Sequence, residues 1–161
     1  MERFTFFWRT ESPFSQWHPA EFNIDGIKFY CTEQYMMYKK AKFFNDEEIA
    51  QRILATKSPS EHKRLGRKVR NFNGDKWNNI CKNIVYEGNY AKFTQNPNLK
   101  AKLIETNGTT LVEASPVDII WGIGLSEEDP RRFNRINWRG KNWLGEILTQ
   151  VRVDIIKNGK S

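Results

Sequence analysis

Apolar residues recur along this chain in two periods, and the change between them marks the elements. Residues 3–8, Arg-Phe-Thr-Phe-Phe-Trp, have the aromatic enrichment of a strand. Ser12-Pro13-Phe14-Ser15 breaks that strand and His18-Pro19 prolongs the loop. Residues 22–24 and 27–30 flank Asp25-Gly26, a pair suited to the positive φ angles of a tight turn, so a hairpin is predicted. From residue 32 the pattern becomes helical. One helix is predicted from Thr32, as its cap, to about Phe44, and a short second helix follows Asp46. Ser58-Pro59-Ser60-Glu61 predicts a third, to about Val69, with a serine cap, proline at the first helical position and a glutamate placed to close a capping box. After a turn at residues 71–75, Trp77, Ile80, Cys81, Ile84, Gly88 and Ala91 repeat at helical spacing across residues 76–93. Asn96-Pro97 starts a shorter helix carrying Leu99 and Leu103, which Asn107-Gly108 ends. Residues 109–113 and 119–121 read as short strands. Residues 126–140 have no period and many charges, a length that suits a functional loop. Residues 142–156 close the chain as a helix with Leu144, Ile147, Leu148, Val151 and Ile155 inward. The pattern predicts an α+β fold, mainly α-helical, with a few short strands and a single domain over residues 1–161.

Composition agrees with that size. A chain of 161 residues can bury roughly 68–70% of its unfolded surface, and a 39% hydrophobic, 14% aromatic content argues against disorder. Cys31 and Cys81 are the two cysteines, each within an apolar helical pattern, which excludes a disulfide framework or zinc ribbon and fits a reducing compartment. The opening MERFTFFWRT is too short and charge-broken for a signal peptide, and no apolar run approaches a membrane span. A soluble, cytoplasmic protein with no membrane partner is expected. Lys plus Arg exceed Asp plus Glu by 26 to 19, a net +7. That surplus suits nucleotides, phosphosugars or nucleic acid, although a merely solvated basic surface accounts for it equally well.

Three stretches carry candidate chemistry. In the first predicted helix, Glu33 and Lys40 lie seven residues apart, hence about 20° apart around the axis and roughly 10 Å along it. They share a face with Met36 and Met37, where a carboxylate and an amine cost desolvation energy unless paired or used. On spacing alone, a pair reaching solvent at the edge of the core is the commoner outcome. In the second stretch, Glu113 and Asp118 follow a strand and precede Trp121, Gly122 and Gly124. The glycines permit close backbone approach to a ligand, and the indole offers a flat face to a base, unless it is core. In the third, Trp138-Arg139-Gly140-Lys141-Asn142 meets the start of the last helix, where free N–H groups and the dipole favour a phosphate, or where charge merely decorates the helix end. Lys63, Arg64, Arg67, Lys68 and Arg70 read as a solvated face or as part of a path for an anionic substrate. His18 and His62 have no cluster of ligands around them, so no metal is expected, and neither a P-loop nor a GxGxxG fingerprint is present.

Taken in order, Ser12-Pro13-Phe14-Ser15 to His18-Pro19, Thr32-Glu33-Gln34-Tyr35 to Lys40-Ala41, Gly66-Arg67-Lys68-Val69, Val112-Glu113-Ala114 to Trp121-Gly122-Ile123-Gly124-Leu125, and Trp138-Arg139-Gly140-Lys141-Asn142 with Leu144-Gly145 resemble the YbiA-like, or NADAR, family. The resemblance spans nearly the whole chain and departs from the family pattern at Gln16 and Gln34. It implies an N-glycosidase without metal or redox cofactor. Some members resemble enzymes that remove ADP-ribose from guanine bases in nucleic acid; others resemble enzymes that hydrolyse ribosylamino-pyrimidine phosphates of riboflavin biosynthesis.

The resemblance further implies roles. Lys40 would be the nucleophile, forming a Schiff base with the opened sugar, which requires a neutral amine. Breaking a ribosyl C–N bond builds positive charge at the anomeric carbon, and on that physical ground Glu33 is the carboxylate expected to stabilise it. Glu113 and Asp118 would orient the sugar hydroxyls or Lys40. Ser15, Trp121, Gly122 and Gly124 would line the substrate, and Arg67, Lys141 and Asn142 would meet its phosphate. The +7 charge favours the ADP-ribosyl-guanine substrate over the riboflavin precursor. A non-catalytic binder of ADP-ribose or nucleic acid on the same scaffold is the competing class; it would bind plain DNA with strong salt dependence and turn over no glycoside.

Overall fold

Asp25 at φ 52° and Gly26 at φ 79° close a two-residue hairpin in the computed structural model, which describes residues 1–159. Its contacts divide the chain into two compact units, Gln16–Asn96 and a second built from Met1–Ser15 with Pro97–Ser161. The class is the expected one, α+β and mainly helical, with short strands. Among the described residues no helix is long and apolar enough to cross a membrane.

In the unit Gln16–Asn96 the hairpin joins strands β2 (Phe22–Ile24) and β3 (Ile27–Phe29) in the antiparallel register Phe22↔Phe29. Phe22 and Phe29 stack at 5.7 Å, and Tyr35 presents its ring edge to Phe29 at 5.0 Å. Tyr35 belongs to helix α1 (Thr32–Phe43), which packs against α2 (Glu47–Leu54), α3 (Pro59–Gly66) and α4 (Gly74–Gln95). Every residue of α1 from Thr32 to Tyr38 is buried, so the polar ones need partners. Gln34 accepts from Tyr30 N (2.7 Å) and donates to the carbonyls of Ile53 and Thr56 (both 3.1 Å). Gly66 lets α3 close on Met37, whose sulfur would clash with a Cβ at that position.

Several boundaries differ from expectation for identifiable reasons. Thr32 does not cap α1: extended Cys31 precedes the helix, and both Glu33 N (3.0 Å) and Thr32 Oγ1 (3.2 Å) donate to the Gln16 carbonyl, so a loop carbonyl does the work of a cap. Ser58 does cap α3, but Glu61 turns to Arg64 (2.7 Å) and Ser58 N donates to Thr56 Oγ1, leaving the capping box half made. That helix ends at Gly66 rather than Val69. Asn73 caps α4 through Lys76 N, so the helix begins at Gly74.

In the other unit, β1 (Phe4–Phe7) pairs parallel with β4 (Thr110–Glu113), from Phe4↔Thr110 to Phe7↔Glu113. Helix α5 (Pro97–Glu105) precedes β4, and α6 (Trp143–Asn158) packs on it. The five residues expected inward on α6 are all buried. Val112, Ile123 and Leu125 form a core against which Phe4, Phe6 and Trp138 pack. The charged stretch after Leu125 folds into two short 3-10 turns, Pro130–Phe133 and Arg135–Asn137. Residues 119–121 are not a strand. Asp118 Oδ1 accepts from the N–H groups of Ile120 (2.9 Å) and Trp121 (2.8 Å), and this turn removes them from any ladder.

Asn142 holds this unit together at the start of α6. It lies in the left-handed region at φ 53° with no exposed surface. Its Nδ2 donates to Leu111 O (3.0 Å), and its Oδ1 accepts from Glu113 N (3.0 Å). Asn142→Ala leaves two buried backbone groups unpartnered, at about 1–3 kcal/mol each, and strains the left-handed backbone by about 1–2 kcal/mol. A loss of about 3 kcal/mol or more is expected in denaturant unfolding; a wild-type unfolding midpoint would contradict the assignment.

Candidate functional site

The α1 face predicted from spacing is present, and it is more enclosed than an edge pair. Glu33 is 6% exposed and Lys40 is half-buried. Lys40 Nζ stands 4.5 Å above the centroid of the Phe72 ring, and Phe72 in turn packs on Phe44 at 5.4 Å. Burial holds the Lys40 amine below the ordinary lysine range; the Glu33 charge opposes that shift and the Arg67 charge adds to it. The cation–π contact with Phe72, like Glu33, favours the ammonium form. Desolvation wins, so the environment enlarges the share of neutral amine at a given pH. Arg67, just beyond α3, is exposed and close enough for its charge to be felt at Lys40. Glu33, Lys40 and Arg67 therefore belong to one electrostatic group within Gln16–Asn96.

The remaining expected residues lie in the other unit. Glu113 ends β4, half-buried. Asp118 is half-buried and spends one carboxylate oxygen on the turn described above; its other oxygen holds no hydrogen bond among the described residues. Trp121 is half-buried and meets Trp143 edge to face at 5.6 Å, with Lys141 Nζ 5.0 Å from the Trp143 ring centroid. Exposed Lys141 and this indole pair present flat faces and a cation side by side. Ser15, 7% exposed, ends the N-terminal stretch.

Three expectations are corrected here. Gly122 and Gly124 are buried, and the close approaches they permit are to the chain itself. A Cβ at 122 would lie 2.9 Å from Glu113 O, and Gly124, at φ 72°, sits under Arg139. The start of α6 is not an open phosphate site. Trp143 N and Leu144 N donate to the carbonyls of Ile120 and Trp121, and Lys141 N and Asn142 N to those of Ile119 and Gly122. Asn142 has both side-chain groups committed to β4.

Lys92 went unnoticed in the sequence. It has no exposed surface, and burial pushes its amine down to about 7, with the nearby Cys31 opposing slightly. The signal was the helical phase: Lys92 continues the buried stripe through Cys81, Ile84 and Gly88. Cys31 and His62 also meet, with Sγ 3.5 Å from Nδ1. Burial pushes the Cys31 thiol up to about 11, and His62 Nε2 donates to Thr56 O (2.6 Å). Nδ1 is thus left to accept from a protonated thiol, a structural pair and not an activated nucleophile. Among the described residues no group of three or more His, Cys, Asp or Glu is placed to hold a metal.

Comparison with known proteins covers both units. The NADAR domain model matches residues 6–156. The chain is 39% identical to Protein irg-1 of Caenorhabditis elegans, covering 94% of this chain and 79% of that one. It is 44% identical to N-glycosidase R617 of Acanthamoeba polyphaga mimivirus, over 86% and 85% of the two chains. Its fold matches the NMR structure of the E. coli protein YbiA with a TM-score of 0.82 at 25% identity, over all of this chain and 90% of that one.

The electrostatics of Lys40 are directly measurable. With lysines 13C-methylated and followed by NMR, Lys40 is expected to titrate at lower pH than the surface lysines, because burial outweighs Glu33. A Lys40 midpoint at or above theirs would show that the Glu33 and Phe72 contacts dominate.

Proposed function

The chain belongs to the NADAR domain family and is an N-glycosidase-type enzyme, and from that premise we propose that it removes ADP-ribose from guanine bases of nucleic acid. The observation that carries this reading is Lys40: an amine half-buried beside Glu33, with its pKa lowered by desolvation, has the form needed to attack a sugar carbon. The net charge of +7 and exposed Lys141 and Arg67 favour a polyanionic substrate over a single phosphosugar.

The chemistry proceeds as follows. Lys40 Nζ forms a bond to C1′ of the ribose. The bond from C1′ to the base breaks, its electron pair going to the base nitrogen, and the ring oxygen leaves C1′ as the sugar opens. The two protons of the amine end on the base and on the ring oxygen, leaving a Schiff base. Water then adds to the C=N bond, releases the aldehyde sugar and restores the amine. Positive charge develops at C1′ before the base has left, and Glu33 stabilises it. The carboxylate sits in the first turn of α1. Its attraction for C1′ is greater in the transition state than in bound substrate, which is the condition for accelerating the reaction. Arg67, whose charge is felt at Lys40, takes a phosphate of the substrate.

Lys40→Met is expected to abolish release of ADP-ribose from a modified guanine oligonucleotide. The folded chain binds the Lys40 proton less tightly than the unfolded chain, so this lysine costs stability increasingly as pH falls from the ordinary lysine range through its folded pKa. The variant should therefore melt at or above the wild-type temperature at neutral pH. Near-wild-type turnover in the folded variant removes the nucleophile role. Glu33→Gln should lower kcat by on the order of 10²-fold or more with little change in affinity for a substrate analogue; the reverse pattern would make Glu33 a binding residue. A parallel assay with ribosylamino-pyrimidine phosphate decides the substrate. Release from it, with none from the oligonucleotide, assigns the riboflavin-precursor reaction instead.

A further inference from the structure

Beside Lys40 the protein exposes aromatic rings that its own core does not need. Phe43 is 42% and Phe72 49% exposed. They belong to one cluster: Phe43 meets Phe44 at 4.9 Å, Phe44 meets Phe72 at 5.4 Å, and Phe72 carries the Lys40 amine on its face. Phe43 and Phe44 stand three and four residues after Lys40, so all three lie on one side of the last turns of α1. Asn71, at φ 61°, precedes Phe72, and Asn73 after it caps α4.

The cations around this cluster fall into two groups. Lys42 is engaged by Glu47 at 2.6 Å, Arg64 by Glu61 at 2.7 Å, and Arg70 by Asp46 at 2.7 Å. Among the described residues Lys39 and Arg67 hold no ion pair, yet Lys39 is one turn from Phe43 and Arg67 is felt electrostatically at Lys40. Exposed rings interleaved with uncompensated cations match the chemistry of one polymer. Base faces stack on aromatic side chains, and the backbone charge between them meets Lys and Arg. A nucleic-acid strand supplies both in every repeat, a flat ring and a negative charge.

We infer that Phe43 and Phe72, with Lys39 and Arg67, form a docking platform for single-stranded nucleic acid that runs past Lys40 and delivers the modified base to it. This rests on the nucleic-acid reading above and extends it. Phe72 and Phe43 stack bases adjoining the modified guanine, and Lys39 and Arg67 contact the phosphates between them. DNA and RNA share both features.

The test measures strand binding separately from turnover. Anisotropy of labelled, unmodified single-stranded DNA and RNA oligonucleotides of one sequence, titrated with the full chain at several salt concentrations, is expected to show salt-dependent binding. Phe43→Ala should weaken it by on the order of five- to tenfold or more, the loss of one stacked base. Lys39→Gln should reduce the slope of log affinity against log salt by about one phosphate contact. Both variants should release ADP-ribose from ADP-ribosyl-guanosine, which has no strand, at the wild-type rate. A preference for one oligonucleotide assigns the natural strand. Wild-type affinity and slope in both variants, or equal affinity for a duplex, overturns the platform. Turnover of the nucleoside without any strand binding removes the platform and leaves the glycosidase reaction standing; strand binding that responds to the variants without turnover does the opposite.

Discussion

The desolvation of one helix governs the behaviour of this protein. Helix α1 is covered by α2, α3 and α4, and its residues from Thr32 to Tyr38 are all buried. Water is removed from a segment that also carries Glu33, Gln34 and, two turns on, Lys40. Each polar group on such a helix must be satisfied, used or neutralised. Gln34 is satisfied by three backbone groups, which tie α1 to Tyr30 before it, to Ile53 within α2 and to Thr56 beyond α2. Lys40 stands where the covering thins, and it responds by holding its proton less tightly. The tightness of the packing, down to Gly66 under Met37 and Gly88 under the Tyr35 ring, sets the position of that amine.

The second unit complements this by fixing a loop instead of burying a helix. Residues 113–124 have little regular structure, but they are held from several directions. Asp118 makes the turn, the carbonyls of residues 119–122 receive the N–H groups at the start of α6, and Asn142 reaches back to both Leu111 and Glu113. Glu113, Trp121 and Lys141 are therefore presented from one hydrogen-bonded frame.

Much of this was legible in the sequence because helical period and turn chemistry are local. The stripe from Trp77 to Ala91, the Asp25-Gly26 hairpin and the inward face of α6 appear where the pattern placed them. The failures share a cause: each depended on a partner distant in the chain. Thr32 looked like a cap because the Gln16 carbonyl, sixteen residues earlier, was invisible as the real acceptor. Ile119 to Trp121 looked like a strand because their apolar side chains say nothing of Asp118 claiming their N–H groups. Asn142 looked like a phosphate ligand because a helix start is open in sequence, whereas here residues 119–122 close it. The Glu33–Lys40 pair was visible as a shared helix face, but its burial follows from three other helices. Lys92 was visible in phase and passed over because lysine on a buried stripe is rare.

The proposed reaction requires covalent participation of a single amine, and that can be seen directly. Adding sodium borohydride during turnover of an ADP-ribosylated guanine oligonucleotide reduces any Schiff base to a stable amine, which peptide mass spectrometry then locates. An ADP-ribose-derived adduct on Lys40, absent without substrate, is expected. Active protein that accumulates no adduct, or carries it on Lys92 instead, would contradict that reaction.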